Sequence, residues 1–197
     1  MGANRSIVKN VFPPKLINYS VCHAIPKIFT KDECEKIIAL FSNPTVSALT
    51  SGNKINKEIR SSTHVWVNHN QEENFWLMER LFHFAFQANF RIWKFDIVGL
   101  FEQIELIRYQ AGDFVSWHQD IGNGASSARK LAVSIQLSPP ESYTEGNLEF
   151  ILMKKQLMYR AQGTGVFFPA YQVHRITPIG SGERFSLVAW LSGNSYT

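Results

Sequence analysis

In the segment Phe114-Val115-Ser116-Trp117-His118-Gln119-Asp120, an imidazole and a carboxylate stand two residues apart, at His118 and Asp120. On an extended strand that spacing projects both side chains from one face towards a common point, where a metal ion could sit. A His-x-Asp pair alone is a weak signal, since a histidine hydrogen-bonded near a turn gives the same pattern. His174, at the start of a later strand-like segment, sharpens it. Two neutral imidazoles and one carboxylate on a triangular face leave neighbouring positions open, as non-haem Fe(II) needs when it must take a chelating co-substrate and oxygen together. Zinc hydrolases need only one open position. Further on, Arg184 shares a face with Ser186 on a segment otherwise made of Phe185, Leu187, Val188 and Ala189. A guanidinium beside a hydroxyl is a two-pronged receptor for a carboxylate; a structural salt bridge with one of the glutamates is the competing explanation, Glu183 being exposed on the other face. His23, His64, His69 and His83 have no ligand spacing with one another, and surface or core satisfaction is their expected fate.

These groups need strands to hold them. Segments of strand composition recur at 95–101, 103–109, 113–118, 130–138, 147–152, 156–161, 164–168, 173–178 and 183–192, punctuated by Gly112, Gly122-Asn123-Gly124, Pro139-Pro140, Gly146, Gly163 and Gly180 to Gly182. No helix is expected among them. Upstream, a capping box of Thr30 and Glu33 followed by Ile37, Ile38, Leu40 and Phe41 predicts a helix over 31–42, stopped by Asn43-Pro44. A second capping box, Asn70 with Glu73, leads into a wide apolar stripe that includes Leu77, Leu81 and Ala85 and predicts a long helix to about Trp93, laid on the back of a sheet. Residues 1–20, with Pro13-Pro14, read as an irregular arm, and the polar stretch Pro44–Arg60 reads as a long functional loop followed by a strand at Thr63–Val67. Helices followed by eight or nine strands predict an α+β domain closed as a sandwich, jelly roll or barrel.

The chain has 197 residues, 45% of them apolar, 13% aromatic and 18% charged, which excludes a disordered tail, a coiled coil or a collagen-like fibre. One domain is expected, with 1–94 supplying arm, helices and loop and 95–197 the core. Cys22 and Cys34 are too few for a disulfide scaffold and have no zinc-finger spacing, so the cytoplasm is the expected location. No apolar run approaches a bilayer span, and a secretory signal is not expected. Residues 1–100 hold 12 basic and 8 acidic side chains and residues 101–197 hold 8 of each, so the whole net charge of +4 lies in the first half. The tightest basic cluster, Lys154-Lys155, argues against a nucleic-acid partner.

Taken in order, His118-x-Asp120, His174 and Arg184-x-Ser186 resemble the Fe(II)/2-oxoglutarate dioxygenases, and more narrowly their prolyl 4-hydroxylase-like branch. The likeness is carried by Arg108-Tyr109-Gln110-Ala111-Gly112 running into Trp117-His118-Gln119-Asp120, by Leu131 to Pro140 with Tyr143-Thr144-Glu145-Gly146-Asn147-Leu148, by Gly163-Thr164-Gly165-Val166-Phe167-Phe168-Pro169, by His174-Arg175-Ile176-Thr177-Pro178 and by Gly182-Glu183-Arg184-Phe185-Ser186-Leu187. It implies a double-stranded β-helix (jelly roll) with the N-terminal helices packed on its major sheet. It also implies His118, Asp120 and His174 as iron ligands and Arg184 on the distal carboxylate of 2-oxoglutarate. Tyr109 would assist through its phenol, with Gln136 and Ser186 as further contacts. Where many prolyl 4-hydroxylases carry Lys, Arg184 stands, as in bacterial members of the branch. Where the family usually has two glycines this chain has Glu145-Gly146, which would present Glu145 to a substrate.

Arg60-Ser61-Ser62 with Val65 and Trp66 looks like the strand that follows a substrate-covering loop, which makes Pro44 to Ile59 the expected lid. Lys54, Lys57 and Arg60 would give that lid its positive charge, and Arg60 and Trp66 would meet substrate. Trp117 and Trp190, with Tyr109, Val115, Leu131, Val133, Phe168 and Val188, would supply apolar walls, most of them plain core. The implied activity is hydroxylation of peptidyl proline in a proline-rich peptide or protein, consuming 2-oxoglutarate and O2, releasing succinate and CO2, with ascorbate as reductant. Alternatives are a free amino acid, small metabolite or nucleobase as substrate, or a jelly-roll module that binds metal without turnover. Arg184 speaks against the module, which has no use for a buried carboxylate receptor.

Overall fold

Thr30 opens the first helix through a complete capping box: its hydroxyl accepts from the Glu33 N–H, and the Glu33 carboxylate accepts from the Thr30 N–H. In the computed structural model, which describes residues 20–42, 45–46, 49–50, 54–55, 58–68, 70–153 and 159–194, this helix (α1) spans Lys31–Ile38. It ends earlier than expected because Leu40 and Phe41 bond back to Ile37 and Ile38, tightening the last turn. The second helix (α2) spans Phe75–Arg91. The Asn70–Glu73 capping box is not made. The Asn70 N–H donates instead to the side chain of Asn68, and a 3₁₀ turn over Glu72–Asn74 precedes the helix.

The strands are β1 (His23–Ile25), β2 (Thr45–Val46), β3 (Leu49–Thr50), β4 (Lys54–Ile55), β5 (Arg60–Ser61), β6 (Thr63–Val67), β7 (Ile104–Tyr109), β8 (Phe114–His118), β9 (Arg129–Gln136), β10 (Tyr143–Glu145), β11 (Leu148–Phe150), β12 (Gly165–Pro169), β13 (His174–Ile176), β14 (Ile179–Gly182) and β15 (Arg184–Ser192). They form a seven-stranded sheet in the order β1-β12-β9-β15-β7-β6-β2, a four-stranded sheet β11-β13-β8-β5, and the ribbons β10-β14 and β3-β4, with every pairing antiparallel. The α+β class with antiparallel sheets is as expected.

Alternation along β9 and β15 gives the larger sheet two different faces. Leu131, Val133 and Ile135 of β9, with Leu187, Ala189 and Leu191 of β15, share a buried cluster with Cys34 and Ile37 of α1 and Leu77, Leu81, Ala85 and Ala88 of α2. The intervening residues, including Ala132 and Trp190, belong to a second cluster with Val115, Phe150 and Ile176 of the smaller sheet. On that second face, cross-strand register sets Ser186 opposite Gln136, Val188 opposite Ser134 and Arg184 opposite Tyr109. Polar groups are thus gathered between two sheets.

Several expectations are corrected. Residues 95–101 form no strand beyond one bridge from Gly99 to Ser192, because the Asn89 side chain takes both backbone groups of Phe95, donating to its carbonyl and accepting from its N–H at 2.8 Å each. Residues 159–161 are not extended into a strand, and 156–158 lie outside the described residues. Short 3₁₀ turns at Gly124–Ala128 and Pro140–Ser142 interrupt the half expected to lack helix; in the first, Ser126 and Ser127 bond back to carbonyls three residues earlier. The stretch read as a loop contributes β2, which pairs with β6, and the β3-β4 hairpin. Positions 44, 47–48, 51–53 and 56–57 of the expected lid, the arm over 1–19 and Lys154-Lys155 lie outside the described residues. Among the described residues no helix is long and apolar enough to cross a membrane.

Candidate active site

β8 ends on His118 and β13 begins on His174, directly opposite each other in the smaller sheet, with ring centroids 4.2 Å apart. Just past β8, the Asp120 N–H is held by the Ala170 carbonyl at 2.9 Å, which turns the carboxylate back towards both rings. Asp120 Oδ1 lies 3.7 Å from His118 Nε2, and Oδ2 lies 3.8 Å from His174 Nε2. The three ligand atoms fall within 4.8 Å of one another. Each imidazole places Nδ1 2.9 Å from a carbonyl two residues earlier, Ser116 for His118 and Gln172 for His174. A carbonyl only accepts, so Nδ1 carries the hydrogen and the Nε2 lone pair faces Asp120. Burial, with the neighbouring His174 ring, pushes His118 down to about 4, so the ring is neutral at neutral pH. Asp120 Oδ2 is buried and has no hydrogen-bond partner. This donor set can hold a divalent metal with open positions.

The guanidinium of Arg184 is fully buried. Nη2 donates to Gln136 Oε1 at 2.8 Å, Nη1 to Ser186 Oγ at 3.4 Å, and Cζ sits 5.2 Å from the Tyr109 ring centroid. Among the described residues no carboxylate lies within ion-pair distance of it; Glu183 is instead exposed, accepting from Gln110 and facing Arg108 at 4.0 Å. The salt-bridge explanation therefore fails. Arg184 Nε and Gln136 Nε2 are buried without partners. A buried cation with unspent N–H groups and no anion is a receptor for one. Burial raises Tyr109 above its ordinary range, keeping its phenol protonated.

Between these ends lies a pocket with about 470 Å³ of atom-free space, open mouth included, walled by Ile107, Val115, Phe168, Val188 and Trp190. Tyr109, Ser186, His118, Asp120 and His174 line it, while Arg184 and Gln136 sit just behind that lining. Arg60 and Trp190 reach the pocket as expected. Trp66, Trp117 and Glu145 do not. Trp66 is 48% exposed on β6. Strand alternation turns Trp117 away from His118 onto the outer face, where Arg175 stacks 4.6 Å from its ring centroid. Glu145 is exposed, with its backbone in the left-handed region at φ 57°. Leu131 and Val133, expected as walls, face the helices instead.

One charged residue of the site escaped the sequence reading. Glu105, buried and lining the pocket, accepts from Arg60 Nη2 at 2.8 Å and lies 3.5 Å from Nδ1 of the buried His64. The Arg60 charge is therefore matched inside the protein rather than lent to a lid. The signal was available in Ile104-Glu105-Leu106-Ile107, a carboxylate in phase with Ile107 and Tyr109 on an apolar strand.

Residues 104–192 match the 2OG-Fe(II) oxygenase superfamily. Over 85 residues the chain is 39% identical to a PKHD-type hydroxylase of Hyphomonas neptunium, a stretch covering 41% of this chain and 38% of that one. Over 181 residues it is 29% identical to a PKHD-type hydroxylase of Shewanella baltica, covering 85% and 76%. The matched stretches span 38%, 45% and 40% of the lengths of three of these curated relatives. In fold the chain is similar to a viral collagen prolyl hydroxylase from Paramecium Bursaria Chlorella virus-1, solved as a 2OG complex (TM-score 0.66, 19% identity, 89% of this chain and 97% of that one). It is also similar to a prolyl hydroxylase from Trichoplax adhaerens, solved with a hypoxia inducible factor oxygen degradation domain peptide fragment (TM-score 0.72, 15% identity, 87% and 83%). In sequence over 104–192, and in fold, the chain is similar to the 2OG-Fe(II) oxygenase superfamily.

The residues present fit what that superfamily binds. The unpartnered Asp120 Oδ2 and two oriented imidazoles suit Fe(II), and the unpaired Arg184 suits a carboxylate of 2-oxoglutarate.

Proposed function

We propose that this chain is a 2-oxoglutarate-dependent oxygenase that hydroxylates peptidyl proline. The observation that carries the reading is one pocket lined at one end by a three-residue metal donor set and at the other by Tyr109 and Ser186, with a buried, anion-less guanidinium directly behind them. A module that only held metal would have no use for the second. His118, Asp120 and His174 would hold Fe(II). Arg184, with Ser186 and Tyr109 beside it, would hold the distal carboxylate of 2-oxoglutarate and so fix which end of the co-substrate meets the metal. When bound, iron and 2-oxoglutarate supply the power to place one oxygen atom of O2 on an unactivated C–H as succinate and CO2 leave, with an ascorbate-class reductant in support. The apolar walls exclude water, and the neutral Tyr109 phenol can donate a hydrogen bond to a carboxylate held by Arg184.

The two facing sheets are read as the double-stranded β-helix of the superfamily, with 95–197 as the catalytic core, 1–94 as its support, and Pro44–Ile59 as the cover over a peptide. A peptide substrate is supported by the Trichoplax neighbour, whose structure contains one, and by the hydroxylase names of the relatives. A cytoplasmic location is supported by the free thiols of Cys22 and Cys34.

The test is succinate release with Fe(II) and 2-oxoglutarate, with and without proline-rich peptides, and peptide mass measured afterwards. Proline peptides should stimulate release and gain the mass of one oxygen atom. Stimulation by free amino acids or nucleobases alone would move the substrate to those classes, and no succinate under any condition would overturn the oxygenase reading.

A further inference from the structure

Arg160 grips three backbone carbonyls of one turn. Nη1 donates to Glu145 O at 2.5 Å, and Nη2 donates to Tyr143 O at 2.6 Å and Pro140 O at 3.0 Å. Its Cζ lies 4.1 Å from the Tyr143 ring centroid, and Asn147 Oδ1 is a weaker contact at 3.4 Å. No carboxylate among the described residues pairs with it, so a planar five-donor group is spent on main chain.

The turn needs holding. Glu145 at φ 57° occupies a region that a side-chain-bearing residue adopts only where its surroundings impose it. The next residue, Gly146, lies so close to the co-substrate end that a Cβ there would fall 2.2 Å from Ile179 Cδ1 and 3.4 Å from Arg184 Cδ. The backbone at Gly146 therefore runs beside the stem of Arg184, with Ile179 packed closer still. On its other side, the Arg160 segment is tied to the strand end carrying Gln136: Gln162 Nε2 donates to Leu137 O at 2.8 Å, and Gly163 N to Gln136 O at 2.7 Å. Arg160 thus joins the element bearing the hydrogen-bond partner of Arg184 to the element running beside its side chain.

We infer that Arg160 is a positioning residue for the co-substrate: by clamping β10 and the Glu145–Gly146 corner that ends it, it fixes the Arg184 guanidinium where a dicarboxylate can reach it. The inference rests on the reading of Arg184 as a carboxylate receptor. It also accounts for Glu145, which the clamp tolerates in place of a glycine by holding its carbonyl.

The experiment is calorimetric titration of 2-oxoglutarate into the full chain loaded with Mn(II), with Mn(II) affinity and thermal midpoint measured separately. Arg160→Gln should weaken 2-oxoglutarate about tenfold and leave Mn(II) affinity within about twofold. Arg160→Lys should fall between it and the wild type, and it carries the test if Arg160→Gln proves too unstable. Adding Glu145→Gly to either variant should restore much of the lost 2-oxoglutarate affinity, because glycine takes a positive φ without strain. A merely structural arginine would move the thermal midpoint and neither affinity. Unchanged 2-oxoglutarate affinity in the Arg160 variants, or no recovery in the double variant, overturns the inference. A wild type that binds Mn(II) but not 2-oxoglutarate overturns the Arg184 reading instead.

Discussion

At the metal end of the pocket each imidazole is aimed by a carbonyl two residues away, whereas at the other end Arg184 is aimed by Gln136, 48 residues away, and steadied by a turn that Arg160 reaches over 15 residues. The first arrangement is built into two short paired strands and one backbone bond beside them, from Asp120 N–H to the Ala170 carbonyl. The second exists only once β9, β10, β14 and β15 have assembled. Metal binding should accordingly tolerate changes in distant packing, and co-substrate binding should be sensitive to them.

The largest break in this comparison comes from the metal end. His174→Ala removes a donor whose place nothing else can take, and metal affinity should fall by more than about 100-fold, measured by calorimetry with Mn(II). Arg184→Ala should leave metal affinity near that of the wild type while weakening 2-oxoglutarate by about 100-fold, the loss of a two-pronged charged contact. Equal losses of both ligands in either variant would erase the distinction between the ends. Glu105→Gln leaves Arg60 without its anion in the pocket wall, and chemical denaturation should show a loss of about 2 kcal/mol. Thr30→Ala is the control on the helical face: it removes the α1 cap, should lower stability by about 1 kcal/mol, and should leave both affinities unchanged.

The same contrast explains what could be read from the residues alone. His118 and Asp120 are visible because a two-residue spacing on a strand is itself geometry, and Arg184 because a charge on an apolar strand demands a partner. Glu105 carried that second signal too, but its partners Arg60 and His64 lie 45 and 41 positions away, across a pairing that only the sheet creates. Trp117 was assigned to the pocket although it neighbours His118 on a strand, where alternation sends it outward. The Asn70 cap and the 95–101 strand failed for one reason: Asn68 and Asn89 offer side-chain bonds to backbone groups that the regular elements would have used.

The central claim is that one pocket holds a metal and a dicarboxylate together. The most direct measurement is titration of 2-oxoglutarate into the wild-type chain with and without Fe(II) under exclusion of oxygen. The account predicts one 2-oxoglutarate per chain, bound at least about tenfold more tightly when the metal is present, because two ends of the ligand are then engaged. Binding of equal strength with and without metal, or no binding in either state, would contradict it.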